Sequence, residues 1–430
     1  MLLAVGGFVA LFVLLFLGVP IAFGLVLVGF AGFALLQGVH PALAMIGQLS
    51  FSTVLNEELS VIPLFVLMGG FISVSRLSDD LYGAANACLG HLRGGLAMAT
   101  VAACAGFASV CGSSFATAAT MAKVALPPMR RYGYADSLAA GSIASGATLG
   151  IMIPPSVPLL LYGIMTQTDI SKLFIAGILP GVLGTLLYLG AVHYATWRDP
   201  KAGPPGQRSS WRARGAALAR IWSVLALFAF IIGGMYFGLF TPTEAAGIGA
   251  FFGFVGALAR RTLSWRGLLE VLIDSAKTAS VILVLLIGAL TFSNFLDIAG
   301  LPKSLAQWLG GGALSPLAVM VMIIVIYLVL GCILDSMSMM FLTVPLLFPI
   351  VTGLGFDAIW FGIIVVTMIE ISLITPPVGL NVFVLHTVRP DISTPTIFRG
   401  VLPFVTADLV RVTLLIAFPS IALVLPRLMG

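Results

Sequence analysis

Long apolar runs separated by short polar bursts govern the reading of this chain. A bilayer core about 30 Å thick takes about 20 helical residues, so the run from Leu2 to Leu36 predicts two spans with a turn near Gly18-Val19-Pro20. Apolar segments follow at 61–75, 95–128, 135–166 and 173–197. A polar stretch from Arg198 to Arg220, carrying Lys201, Gly203-Pro204-Pro205-Gly206, Arg208, Arg212 and Arg214, then interrupts the pattern. Beyond it come segments at 221–240, 243–259, 270–296, 315–352, 357–388 and 401–425. The polar run from Gln48 to Ser60, with Glu57 and Glu58, predicts an interfacial helix on the outer face.

The lengths repeat between the halves, and one shift of 222 residues makes the repeat explicit. It carries Pro20 onto Pro242, Pro127 onto Pro349, Gly133 onto Gly355 and Pro154-Pro155 onto Pro376-Pro377. Asp169-Ile170-Ser171 falls on Asp391-Ile392-Ser393, and after one inserted residue Gly177-Ile178-Leu179-Pro180 meets Gly400-Val401-Leu402-Pro403. Each half has five apparent crossings plus one long segment, 95–128 or 315–352, with polar residues at its middle. Counting that segment as a hairpin or as two crossings leaves an odd total, so the repeats lie inverted in the membrane.

If the basic linker is cytoplasmic, the N-terminus is outside, and the other loops test the assignment. Arg76, Arg93, Arg130, Arg131, Arg260, Arg261, Arg266, Arg389 and Arg399 join the linker cations inside, while Lys172, Lys303 and Arg427 fall outside. Lys123, Lys277 and Arg411 lie within segments.

Composition agrees with this picture. The 430 residues are 60% hydrophobic and 9% charged, far below the roughly one quarter charged that a soluble surface needs. A soluble fold, a disordered chain, a collagen-like rod and a nucleic-acid binder are excluded. The net charge of +5 sets orientation through its placement. Cys88, Cys104, Cys111 and Cys332 sit in or beside apolar stretches without a CxxC pair, so they read as buried thiols. The N-terminal run lacks a basic leader and is too long for a signal peptide, so it reads as mature structure.

Helix breakers inside apolar runs mark a cavity, because irregular backbone at membrane depth survives only where protein or water satisfies it. Four such breaks occur: Cys111-Gly112-Ser113-Ser114-Phe115-Ala116-Thr117, Ile151-Met152-Ile153-Pro154-Pro155-Ser156, Leu334-Asp335-Ser336-Met337-Ser338 and Ile374-Thr375-Pro376-Pro377-Val378-Gly379-Leu380-Asn381. Free carbonyls and hydroxyls there are hard oxygen ligands suited to Na⁺, and half-helix N-termini direct positive dipole ends at an anion. Asp335 reads as an ion ligand or an N-cap. Glu370 reads as a proton carrier or a hydrogen-bonded structural group, and His386 as interfacial. Arg411 reads as a substrate counter-charge, a partner contact or a snorkelling cation. No GxxxxGK[ST], HExxH or GxSxG occurs, which argues against ATP hydrolysis and against an intramembrane enzyme.

At these residues the chain resembles the large membrane subunit of tripartite ATP-independent periplasmic (TRAP) transporters, of the dicarboxylate-transporter M type. The matching stretches are CGSSFATAATMAKVALPPM, SGATLGIMIPPSVPLLLYG, DISKLFIAGILPG and, in the second half, SLITPPVGLNVFVL. The resemblance implies an all-α integral membrane protein of elevator type. Each of its two inverted repeats has three scaffold helices, a re-entrant hairpin, a broken helix and a closing helix. The first repeat is 1–197, with scaffold to about 92 and transport elements over 93–197; the linker is 198–220. The second repeat is 221–430, with scaffold to about 312 and transport elements over 313–430.

The resemblance further implies Na⁺-coupled uptake of an organic acid, such as a C4-dicarboxylate or a sialic acid, from a periplasmic substrate-binding protein. A small four-helix membrane subunit is expected as a separate chain, in the bacterial inner membrane, with Na⁺ as coupling ion and no cofactor. Carried over residue by residue, the first Na⁺ site takes Ser113 and Ser114 with carbonyls near Gly150, Ile153 and Pro155. The second takes Asp335 and Ser336 with Thr375, Pro377 and Gly379. The substrate carboxylate is expected near Ser114, Ser156, Thr375 and Asn381. The rival readings are a standalone Na⁺- or H⁺-coupled anion symporter and a membrane scaffold or channel.

Overall fold

A computed structural model describes residues 2–75, 77–310 and 315–429. Arg76, expected inside, and the scaffold boundary at 312–313 lie outside the described residues. The described chain is helical, with no strand among the described residues. The first half comprises α1 (Leu2–Phe16), α2 (Ile21–Gln37), α3 (Val39–Leu55), α4 (Val61–Val74), α5 (Leu77–Leu89), α6 (Gly95–Cys111), α7 (Ser114–Arg131), α8 (Asp136–Gly146), α9 (Val157–Thr166) and α10 (Ile170–Arg198). The second comprises α11 (Trp211–Tyr236), α12 (Pro242–Ala259), α13 (Trp265–Ile298), α14 (Leu301–Gly310), α15 (Pro316–Gly331), α16 (Ser336–Gly353), α17 (Ala358–Ser372), α18 (Leu380–Val388), α19 (Thr394–Ala417) and α20 (Ser420–Arg427).

Seven helices among the described residues are long and apolar enough to cross a membrane, Ile170–Arg198 and Trp265–Ile298 being the longest. The turn between α1 and α2 falls where the sequence places it, with Gly18 at φ +83° and Pro20 immediately before the first residue of α2, where its missing N–H costs nothing. The two long polar-centred segments each divide in two, at Gly112-Ser113 and between Gly331 and Ser336.

Three elements depart from the expected segments. The 48–60 stretch is not one interfacial helix: α3 runs to Leu55, Asn56 accepts from the Glu58 amide, and a 3-10 turn over Glu57–Ser60 leads directly into α4. Helices α5 and α14 follow the scaffold spans of their halves and are too polar for a hydropathy pattern to mark; α5 carries Asp79 and Asp80 in its first turn. The final segment breaks between Ala417 and Ser420, where Pro419 removes an amide donor.

The linker is shorter than its composition suggests. Helix α10 continues to Arg198 and α11 begins at Trp211, so its second half is already helical. Residues 199–206 are not free: the Gly94 amide donates to Gly203 O at 2.8 Å, Gly206 to Gly90 O at 2.9 Å and Ala135 to Ala202 O at 3.0 Å. The linker thereby fastens the ends of α5 and α7 to the end of α10.

Small residues let helices approach closely, as membrane packing requires. Helix α2 packs along α13, where a Cβ on Gly29 would lie 2.7 Å from the Phe292 amide. Elsewhere too the two halves interlock. Helix α8 packs on α19, α17 on α10, α7 on α18 and α16 on α9, so each half completes the other. At the first contact a Cβ on Gly141 would collide with the Gly400 carbonyl, and one on Gly400 with the Ser137 carbonyl.

Candidate functional site

The hairpin tips are built by helix capping. Gly112 ends α6 in the left-handed region at φ +66°, open to glycine without a Cβ penalty. Ser113 then caps α7: its Oγ accepts from the Ala116 amide at 3.3 Å, and its carbonyl accepts from Thr117 Oγ1 at 2.8 Å. At the second tip Asp335 caps α16, its carboxylate accepting from the Met337 and Ser338 amides at 3.2 and 3.4 Å and from Ser338 Oγ. A capping carboxylate at a helix N-terminus is also favoured by the helix dipole.

Each first arm of a hairpin rests on the first half of a broken helix. A Cβ on Gly150 would collide with Ala108, and one on Gly331 with Ser372. Past the first break Ser156 caps α9, accepting from the Leu159 amide at 3.2 Å while its hydroxyl donates to Ile151 O. Past the second, Gly379 at φ +53° precedes α18, and Asn381 closes the turn through its amide to Leu373 O at 3.0 Å. Both Pro154-Pro155 and Pro376-Pro377 are cis.

The two hairpin tips and the first break open onto a cavity of about 470 Å³. One wall contains Gly112 to Ala116, Pro155, Val157, Pro158 and Asp335 to Met337. The N-termini of α7, α9 and α16 thus converge on one space, and half-helix N-termini of this kind favour an anion. The opposite wall runs from Phe65 to Val74 of α4 and from Gly267 to Ile282 of α13, and includes Glu270, Asp274, Ser275 and Thr278. A second, wider cavity of about 1770 Å³ lies at the other end of α4, lined by Asn56 to Glu58, Gln167 to Lys172 and Tyr236 to Glu244.

Comparison with known proteins shows the family to which this fold belongs. Residues 8–421 match the family described as Tripartite ATP-independent periplasmic transporter, DctM component. The chain belongs to the TRAP transporter large permeases. It is 37% identical over 382 residues to the C4-dicarboxylate TRAP transporter large permease of Pseudomonas aeruginosa, covering 88% of each chain. It is 30% identical to the sialic acid TRAP transporter large permease of Vibrio cholerae, covering 96% of each. Its fold is similar to that of the Alcanivorax borkumensis YdaH transporter at TM-score 0.58 and 15% identity, over 92% of this chain and 89% of that one. The family is one of multi-pass membrane transporters, not enzymes.

Of the residues singled out from this permease's sequence, Ser113, Ser114, Pro155, Asp335 and Ser336 line the shared cavity. Others lie behind it. Gly150 is buried against α6, Ile153 packs towards Gly181, and Ser156 is engaged in capping. The second break sits apart from this wall. Thr375 Oγ1 donates to Ile371 O at 2.6 Å, Pro376 and Pro377 are exposed, and the Pro376 carbonyl faces Cys332 Sγ at 3.6 Å. Asn381 is fully buried, its Nδ2 donating to Ala144 O of α8 at 3.1 Å.

Sequence reasoning passed over Glu270 and Asp274, whose position on an apolar run carries no sign that this face meets the hairpins. It left Glu370 and Arg411 as separate residues, yet they are paired, a contact between helices 41 positions apart that no local pattern encodes. His386 Nδ1 lies 2.8 Å from Ile392 O. Among the described residues there is no cluster of three or more His, Cys, Asp or Glu side chains suited to a metal ion. The oxygen donors at the tips are hydroxyls, carbonyls and one carboxylate, a hard set that fits Na⁺ better than a transition metal.

Proposed function

We propose that this TRAP large permease is a Na⁺-coupled importer of an organic acid, a C4-dicarboxylate, a sialic acid or a related carboxylate. The observation that carries the reading is the convergence of three helix N-termini and both hairpin tips on one cavity. The N-termini favour a carboxylate, and the hydroxyls of Ser113, Ser114 and Ser336 with neighbouring carbonyls favour Na⁺. Cation and acid bound side by side offset each other's charge, so the loaded element crosses the membrane at lower cost than a half-loaded one.

In this reading residues 1–197 and 221–430 are inverted repeats, joined by the basic linker 198–220 on the cytoplasmic side with the N-terminus periplasmic. Hairpins, broken helices and closing helices (93–197 and 313–430) form a body that moves against the scaffold (1–92 and 221–312). The interlocked packing of α7 on α18 and α16 on α9 supports a single moving body. The cavity reaches Val74 and Gly267, beside the basic loop bearing Arg260 and Arg261, which supports an inward-facing conformation. The acid is delivered by a periplasmic substrate-binding protein, and a separate four-helix subunit covers part of the scaffold in the inner membrane.

The test is sodium-dependent uptake in proteoliposomes with both partners present, supplied with C4-dicarboxylates and sialic acid in turn. Ser113→Ala and Ser336→Ala each lower sodium-dependent uptake at least several-fold with membrane insertion intact. Unchanged uptake in both variants removes the ion-site assignment.

A further inference from the structure

A second cluster of ionisable side chains lies wholly inside the protein. Glu370 stands on α17, Asp408 and Arg411 on α19 and Tyr188 on α10, and all four are at 0% exposure. Arg411 Nη2 donates to Glu370 Oε2 and lies 2.9 Å from Asp408 Oδ1. The Tyr188 hydroxyl donates to Asp408 Oδ2 at 2.6 Å. Helix α10 comes this close because residue 184 is glycine: a Cβ there would strike Arg411 Nη1. The cluster therefore joins closing helices of both halves to the first part of the second broken helix.

Among the described residues Arg411 with Glu370 and with Asp408 are the ion pairs of this cluster, and on the other helices packed against α19, Asp136 of α8 pairs with Arg130 and His386 of α18 lies against Ile392 O. Of the remaining elements packed against α17, α16 has no ionisable side chain from Ser336 to Gly353, and the turn over Ala147–Ile151 has none. Helices α9 and α15 bring Tyr162 and Tyr327, whose hydroxyls are engaged by Ala358 O and Thr343 Oγ1. Helix α20 brings Arg427, which is exposed at its end. Arg411 Nε and Nη1 have no hydrogen-bond partner among the described residues.

Two carboxylates share one guanidinium, so with both ionised the cluster carries one uncompensated negative charge away from water. Such a charge is costly, whereas a carboxyl that keeps its proton leaves the cluster neutral. We infer that the Glu370–Asp408 pair binds one proton, a proton site distinct from the cavity between the hairpin tips. Its loss in alkaline medium leaves net charge inside the bundle and slows uptake.

Infrared difference spectra of the full chain in lipid nanodiscs, titrated from neutral to alkaline pH, test this directly. Glu370 and Asp408 are the buried carboxylates among the described residues, so a protonated-carboxyl carbonyl band at neutral pH belongs to them. The expected result is such a band, shifted in D2O, lost on alkalinisation and altered or abolished in Glu370→Gln or Asp408→Asn. Absence of the band from the wild type at neutral pH overturns the proposal, as does a band unchanged in both variants. Should neither variant fold, the wild-type titration decides alone. The spectrum needs no substrate or sodium, so it stands or falls independently of the sodium-coupling reading.

Discussion

The two halves of this permease share a sequence pattern and use it differently. At the first break Pro154, Pro155 and Ser156 are buried and α9 presents its N-terminus to the cavity; at the second, Pro376 and Pro377 are exposed and α18 does not line it. The Asp-Ile-Ser triplets diverge as well. Asp169 caps α10 by accepting from the Lys172 amide at 3.0 Å. Asp391 instead pairs with Arg389 at 3.0 Å and with Arg130 of the first half, leaving Ser393 at the start of α19. Duplication supplies the same backbone devices twice, and the neighbours each copy meets decide which becomes part of a cavity and which becomes a fastening.

The strongest way to break that contrast is at Asn381. Its counterpart in the first half is Leu159, a buried residue of α9, so Asn381→Leu makes the second half imitate the first. The substitution removes the bond to Ala144 O and leaves a buried carbonyl short of a donor, a cost of about 1–3 kcal/mol. A lowered melting temperature in detergent is expected, and an unchanged one means that this bond does not hold α18 to α8.

A smaller effect sharpens the same contrast at the triplets. Arg389, and then Arg130, hold the Asp391 carboxyl well below the usual carboxylate range. A carboxylate whose folded pKa is depressed adds stability above its unfolded value, about 3.9, and that contribution fades as pH falls towards the folded value. The wild type should therefore lose thermal stability below about pH 4 more steeply than Asp391→Asn. The difference should be small and shrink with salt, because the pair is solvent-exposed. Asp169→Asn, which leaves Asp391 with both arginine partners in place, should keep this acid dependence.

Much of this was legible in the sequence. Apolar runs and prolines marked the spans and breaks, and Gly112-Ser113 and Asp335-Ser336 marked the tips, because capping and chain reversal depend on a few adjacent residues. The helix expected over 48–60 ends at Leu55 because Asn56 to Ser60 form a cap and a 3-10 turn continuous with α4. Helices α5 and α14 were missed because their sequences interrupt apolar runs with polar residues, and α5 buries only part of its surface. Glu270, Asp274 and the Glu370–Arg411–Asp408 group were out of reach for a different reason. Their significance comes from which helices pack together, and a single sequence carries no record of that for charged residues on apolar helices.

The central claim is that acid and sodium meet where α7, α9 and α16 begin. It is tested most directly by electron cryo-microscopy of the permease with its membrane partner, in saturating sodium and a transported acid. The account predicts density for the carboxylate near Ser114 and Val157, with cations beside Ser113 and Ser336. Ligand density confined to the wide cavity near Glu57 and Lys172, with water alone between the hairpin tips, would contradict it.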